Sequence, residues 1–238
     1  AGELWIGTNG GGVNHMSKVR KSYTVYAHNP KDPQSLPAGK ITAILEDHAG
    51  NLWVGAYNGG IARYDEKTGR FIRYVNDPDN PRSLAGNIIN YMYEDSRNSL
   101  WVLSNSGLSR YNQVTDDFDN IYANANNPNG LADSIVYCML EDEKSNLWIG
   151  TYTAGLEYYD RSTGRFTHFT SDPGNPETVS DNLIYHLLYD ARGRLWVATN
   201  NGLNRYENGR FYRYFHDPDN LKSISGNTIR TLFLDSSG

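Results

Sequence analysis

Five side chains able to recognise a ligand recur along the chain, each different from the last. They are Thr42, Asn90, Tyr137, Tyr185 and Arg230, spaced by 48, 47, 48 and 45 residues. Each follows an aliphatic residue that hardly varies: Ile41, Ile89, Val136, Ile184 and Ile229. A position that is polar in every copy, beside one that is aliphatic in every copy, is the pattern of a ring facing a channel. Tyr faces suit sugar rings, and Asn or Arg can satisfy hydroxyls or a carboxylate. Residues that merely line a water-filled channel would give the same pattern. A second set recurs as Asn9, Tyr57, Asn105, Tyr152 and Asn200. Asn is expected in tight turns for backbone reasons alone. Tyr57 and Tyr152 have no such reason, which leaves ligand stacking and loop packing both open for them. His186 joins the candidates because other copies carry Ala43, Tyr91, Cys138 and Thr231 at its position. A buried, hydrogen-bonded histidine is the ordinary alternative.

Little in the sequence points to catalysis. The six histidines show no metal-binding spacing, no nucleophile elbow occurs, and Cys138 is the only cysteine. The glycine runs Gly10-Gly-Gly12 and Asn58-Gly-Gly60 join strand to strand, so they lack the helix N-terminus that phosphate cradles use. The Asp-Pro-Asp-Asn loops lack the ligand series of a calcium-binding loop. No cofactor or metal is expected. The formal net charge of −5 argues against nucleic acid as a partner. No apolar stretch is long enough to span a membrane as a helix.

The elements that must position these residues follow from the tryptophans. All five, Trp5, Trp53, Trp101, Trp148 and Trp196, stand 47 or 48 residues apart. A fixed period of this length means one structural unit copied five times. The second copy is the clearest. Ile41–Asp47, Leu52–Ala56, Ile61–Asp65 and Arg70–Val75 are short runs rich in Ile, Val, Tyr and Phe, separated by Gly/Asn/Asp clusters. They predict four strands, a to d, in antiparallel order. Asp-x-x-Gly turns join a to b, Thr-Gly or Asn-Gly turns join c to d, and Asp-Pro loops outside the sheets lead to the next a. The recurring tryptophans, the strand-c tyrosines and the turn aspartates (Asp47, Asp95, Asp142, Asp190, Asp235) are expected to be structural.

Four-stranded antiparallel units repeated five times predict an all-β fold, a β-propeller spanning 1–238 as a single domain. Repeats begin near Gly2, Gly50, Asn98, Ser145 and Gly193. The sequence starts at a strand b (Leu4-Trp5-Ile6) and ends at a strand a (Ile229–Phe233), followed by the turn Asp235–Gly238. Pairing of that last strand with the N-terminal b, c and d strands is expected to close the ring and remove two open edges. Because strand a runs up and strand b down, the d–a loops and b–c turns share one rim, where variable loops on a rigid scaffold carry function.

The segments Leu52-Trp-Val-Gly, Leu147-Trp-Ile-Gly-Thr151, Tyr158–Phe166, Asp77–Leu84 and Gly226–Ile229 resemble the two-component regulator propeller repeat. The resemblance extends over essentially the whole chain. It implies an extracytoplasmic sensor region of a bacterial membrane receptor such as a hybrid histidine kinase, with an oligosaccharide as ligand. It further implies a periplasmic or extracellular domain of an inner-membrane protein, a homodimeric parent receptor, and membrane contact only through segments outside this one. Five repeats are fewer than that family's usual ring, and no kinase segment is present. Leu103 and Ala198 replace the glycine that Gly55 and Gly150 supply elsewhere. The expected function is thus a non-enzymatic ligand sensor. A protein-interaction scaffold, and a propeller lyase or glycosidase using His186, Tyr137, Tyr185 and Arg230, are the alternatives.

Overall fold

The computed structural model describes residues 4–16 and 22–235. The chain forms two compact units, one running to Tyr122 and the other from Ala123. In the first, β1 (Leu4–Gly7), β2 (Val13–Met16) and β3 (Tyr23–Tyr26) make a three-stranded sheet. Two four-stranded sheets follow: β4 (Ile41–Glu46), β5 (Leu52–Ala56), β6 (Gly60–Asp65) and β7 (Arg70–Tyr74), then β8 (Ile89–Glu94), β9 (Leu100–Ser104), β10 (Gly107–Asn112) and β11 (Asp117–Ile121). The second unit holds two more. One is β12 (Val136–Glu141), β13 (Leu147–Thr151), β14 (Leu156–Asp160) and β15 (Arg165–Phe169), and the other is β16 (Ile184–Tyr189), β17 (Leu195–Thr199), β18 (Gly202–Glu207) and β19 (Arg210–Tyr214). Every sheet is an antiparallel meander, and the described residues contain no helix. These are propeller blades, as the repeat pattern predicts.

The a–b turns show why the repeat keeps its aspartate. Asp47 Oδ1 accepts backbone N–H bonds from Ala49 and Asn51, and Gly50 sits at φ 81°. The same turn recurs at Asp95, Asp142 and Asp190, with Asn98 (φ 60°), Ser145 (62°) and Gly193 (72°) at the left-handed position. Residues 236–238 of the turn predicted at Asp235–Gly238, and the repeat start at Gly2, lie outside the described residues. The second carboxylate oxygen does a further job. It accepts the indole N–H of the tryptophan six residues on: Trp53 to Asp47 at 2.8 Å, Trp101 to Asp95 at 2.6 Å, Trp196 to Asp190 at 2.9 Å. Each of these tryptophans is thereby tied to the turn that precedes it, and a hydrogen bond to a charged acceptor contributes about 1.5–3 kcal/mol.

The cores lie between successive sheets. In the first unit Trp53 and Ile61 pack with Ile89, Met92, Leu100, Tyr111 and Phe118 of the next sheet. In the second, Cys138, Trp148 and Leu156 pack with Ile184, Leu187, Val197 and Phe211. The glycine two residues after tryptophan is a contact requirement. A Cβ at Gly55 would lie 2.9 Å from Ile89 Cγ2, and one at Gly150 would lie 2.7 Å from Ile184 Cγ2 and also meet Cys138 Sγ.

The predicted hydrogen-bonded closure is not formed among the described residues. The first sheet has three strands, and Ile229–Phe233 belongs to no strand. The segment is held instead by the rim of the preceding sheet. Asn227 O accepts from Gly202 N, Ile229 N donates to Thr199 O at 2.9 Å, and Leu232 N donates to His186 Nδ1 at 3.3 Å. The link from Gly202 repeats the one that Gly60 and Gly155 make to Asn87 and Asn182. The segment therefore occupies the place of a strand a. It lacks the strand b that would give it a ladder, and Phe233 is left exposed.

Candidate functional site

The variable ring residues stand out from their strands for a structural reason. In all four strand a/strand b pairs the register slips at one place: between Ile41 and Ala43, Ile89 and Tyr91, Val136 and Cys138, and Ile184 and His186. Thr42, Asn90, Tyr137 and Tyr185 are thus the extra residues of β-bulges. A bulge frees its residue from the ladder and re-aims its side chain, and bulges are over-represented beside functional sites. Arg230, in the strandless C-terminal segment, has no ladder to bulge from.

The second predicted set sits on the same rim. Backbone N–H groups of Tyr57, Asn105, Tyr152 and Asn200 donate to the carbonyls of Lys40, Ile88, Ile135 and Leu183, two residues before each bulge. In the second unit this gathers a cluster. The Tyr137 ring lies 5.9 Å edge-on to Tyr152 and 6.2 Å from Tyr185. The Arg230 guanidinium lies 4.0 Å over the Tyr185 ring, and no acidic residue forms an ion pair with it among the described residues. Tyr185 OH reaches Asn200 Oδ1 at 3.5 Å. Stacked rings, an amide and a cation with no carboxylate partner can together contact a sugar's apolar face and its oxygens.

His186, next to Tyr185, pairs with Ala198 in the ladder. Its burial lowers its pKa, which favours the neutral ring, and its Nδ1 accepts the Leu232 N–H. In the first unit Asn90 donates to Asn105 Oδ1 at 2.7 Å, Thr42 is exposed, and Tyr57 is half exposed.

Supports that sequence reasoning missed lie beneath the second unit's rim. Asp133 Oδ2 accepts from the Thr153 backbone and hydroxyl, fixing the turn that carries Tyr152. Glu157, fully buried, accepts the Ala132 N–H with Oε1. Its Oε2 has no hydrogen-bond donor and faces His168 Nδ1 at 3.7 Å. Burial pushes its pKa up to about 7, the Asp133 charge adds to this, and the Ala132 bond opposes it. Ser109 and Asn204 do the same work in their own sheets, receiving the N–H of Ala85 and Ser180. Aligning the repeats would have shown an acid standing where those neutral residues stand. Among the described residues no group of three or more His, Cys, Asp or Glu could hold a metal ion, and Cys138 is buried with its thiol pushed up to about 12.

The fold and this rim define a class, a repeat protein built of propeller blades with its variable residues on bulges. The two-component regulator propeller model matches the sequence four times, at residues 35–58, 83–106, 130–153 and 178–201. Those four segments are repeats of that family. The chain is similar to a crystal structure described as the extracellular domain of the hybrid two-component system BT3049 from B. thetaiotaomicron, at a TM-score of 0.74 and 20% identity. It matches that of BT4673 from the same organism at 0.74 and 24%. It covers 99% and 98% of its own length there, but spans only 36% and 29% of those proteins. A virginiamycin B lyase from Staphylococcus aureus, crystallised as its inactive H270A form with quinupristin, shares the fold at a TM-score of 0.65 and 19% identity, over 93% of this chain and 68% of the lyase. A comparison with curated protein sequences found no match. No helix among the described residues is long and apolar enough to cross a membrane.

Proposed function

We propose that this chain is an extracytoplasmic ligand-sensing propeller segment of a bacterial two-component receptor, and that it binds an oligosaccharide on the rim of its second unit without catalysing a reaction. The observation that carries the reading is the bulge-borne cluster of Tyr137 and Tyr185 with Tyr152 and the ion-pair-free Arg230. Aromatic faces stack on the C–H face of a pyranose while Arg230 and Asn200 bond its oxygens. The engagement of His186 by a backbone N–H favours a binding role over an acid–base role for this rim. The receptor setting rests on the repeat family, and the rest of such a receptor lies beyond this segment.

Isothermal titration of the chain against a panel of neutral and acidic oligosaccharides tests this. One class should bind, and Tyr185→Ala or Arg230→Ala should weaken it about tenfold or more, since each removed contact is worth about 1–2 kcal/mol. Binding that both variants leave unchanged, or no binding by the folded chain to any glycan, would overturn it.

A further inference from the structure

On the turn side of the second unit, away from the bulges, β13–β18 border an open pocket of about 490 Å³ lined by Trp148, Tyr158, Phe169, Tyr189 and Tyr206. The equivalent place in the first unit shows what such walls hold. There Trp53, Tyr74 and Tyr111 form an aromatic triad, with ring centroids 5.6, 4.8 and 6.1 Å apart. The Arg63 guanidinium sits among them, 5.4 Å from the Trp53 ring and 5.9 Å from each tyrosine. It donates to Tyr111 OH at 2.6 Å, and Asp116 lies 3.6 Å away. Its charge is thus held by three π faces and one carboxylate.

The second unit repeats the triad as Trp148, Phe169 and Tyr206, at 5.5, 5.2 and 5.5 Å. It does not repeat the arginine. The register that places Arg63 opposite Trp53 places Tyr158 opposite Trp148. The Tyr158 ring packs on Trp148 at 4.6 Å, and its hydroxyl turns back to its own sheet, donating to Asp142 Oδ2 at 2.7 Å and receiving from Asn146 Nδ2. Asp142 has consequently released the tryptophan, whose indole N–H goes to Tyr189 OH instead. Tyr206 OH, the counterpart of the hydroxyl that Arg63 grips, has no hydrogen-bond partner among the described residues. Asp142 and Glu207 line the pocket as carboxylates, and Glu207 is paired with Arg205 at 3.2 Å. Of the two arginines there, Arg194 is held by Asp190 and Arg192 is exposed.

We infer that this pocket is a binding site for a guanidinium or similar planar organic cation supplied from outside the chain, in the place that Arg63 fills internally in the first unit. Cation–π attraction to the three rings, a hydrogen bond to Tyr206 OH and the field of Asp142 are what the site offers.

Titrating the full chain with Nα-acetyl-arginine amide, and with the citrulline analogue as neutral isostere, tests the inference. The arginine probe should bind about tenfold or more tightly than the citrulline probe, the ratio that about 1.4 kcal/mol of cation–π and charge attraction supplies. Tyr158→Arg should place the chain's own guanidinium in the pocket and abolish binding while the protein stays folded by circular dichroism. Tyr206→Phe, which removes only the hydroxyl, should weaken binding and leave the fold intact. Arg63→Tyr should add a second site. Equal affinity for the two probes, or undiminished binding in the folded Tyr158→Arg variant, would overturn the proposal. The rim variants Tyr185→Ala and Arg230→Ala should leave arginine binding unchanged, which separates this site from the glycan reading.

Discussion

The two units use one packing scheme and finish it with different polar chemistry. In the first, Trp53 is bonded to Asp47, and Arg63 plugs the space beside the ring. In the second, Trp148 is bonded across to Tyr189, Asp142 is taken by Tyr158, whose ring packs on Trp148, and a pocket remains beside the triad. Most aliphatic and aromatic positions that bury area keep their character between copies. What changes is which donor meets which acceptor, and hence where the molecule can accept a ligand.

The largest break in that comparison should come from the aspartates. Asp47→Ala strands a fully buried indole N–H and two backbone N–H groups, and should cost about 3 kcal/mol or more in urea unfolding. Asp142→Ala leaves Trp148 bonded to Tyr189 and should cost about half as much. Equal costs would show that the exchanged partners are energetically idle.

Glu157 sharpens the contrast through pH. Its folded pKa of about 7 lies above the ordinary 4.5, so the folded state favours the protonated acid. Its contribution is fully present below pH 4.5 and is lost as the pH rises through 7, by up to about 3 kcal/mol. The Asp133 charge raises that pKa further, and the Ala132 N–H bond opposes the rise. Glu157→Gln keeps the acceptor for Ala132 N–H and should flatten the decline when unfolding is measured between pH 5 and 8.

A smaller effect is expected where sheets meet. Gly150→Ala must displace Cys138 and Ile184, whereas Gly55→Ala meets chiefly the Ile89 side chain. Both should destabilise, Gly150→Ala by about 2–3 kcal/mol and Gly55→Ala by about 1–2 kcal/mol, read as a lowered urea midpoint. The smallest effect belongs to Tyr185→Ala. It should change stability by under about 1 kcal/mol, because the bulge residue pairs with nothing in the ladder, even as glycan binding falls.

How much of this was legible in the sequence depended on whether it recurred. The 48-residue spacing of tryptophan fixed the blades, and the Asp-x-x-Gly turns fixed their hairpins, because each rule was stated several times over. The six-residue step from Asp47 to Trp53 was equally visible, yet a donor–acceptor pair cannot be told from two separate structural residues without coordinates. Thr42, Asn90, Tyr137 and Tyr185 were singled out by their variety, but variety does not say that they are bulges. Register shifts leave no mark on hydrophobic alternation when the neighbouring residues are all apolar. The closing strand at Ile229–Phe233 failed for another reason. Its sequence has the propensity for a strand, but a ladder needs a partner, and propensity does not supply one.

The bulges carry a consequence for how such a protein can change. A residue set outside the ladder can be exchanged for almost any other without cost to the sheet beneath it. New recognition can therefore be written one residue at a time on an unaltered frame, and a lineage can diversify what it detects while its architecture stays still.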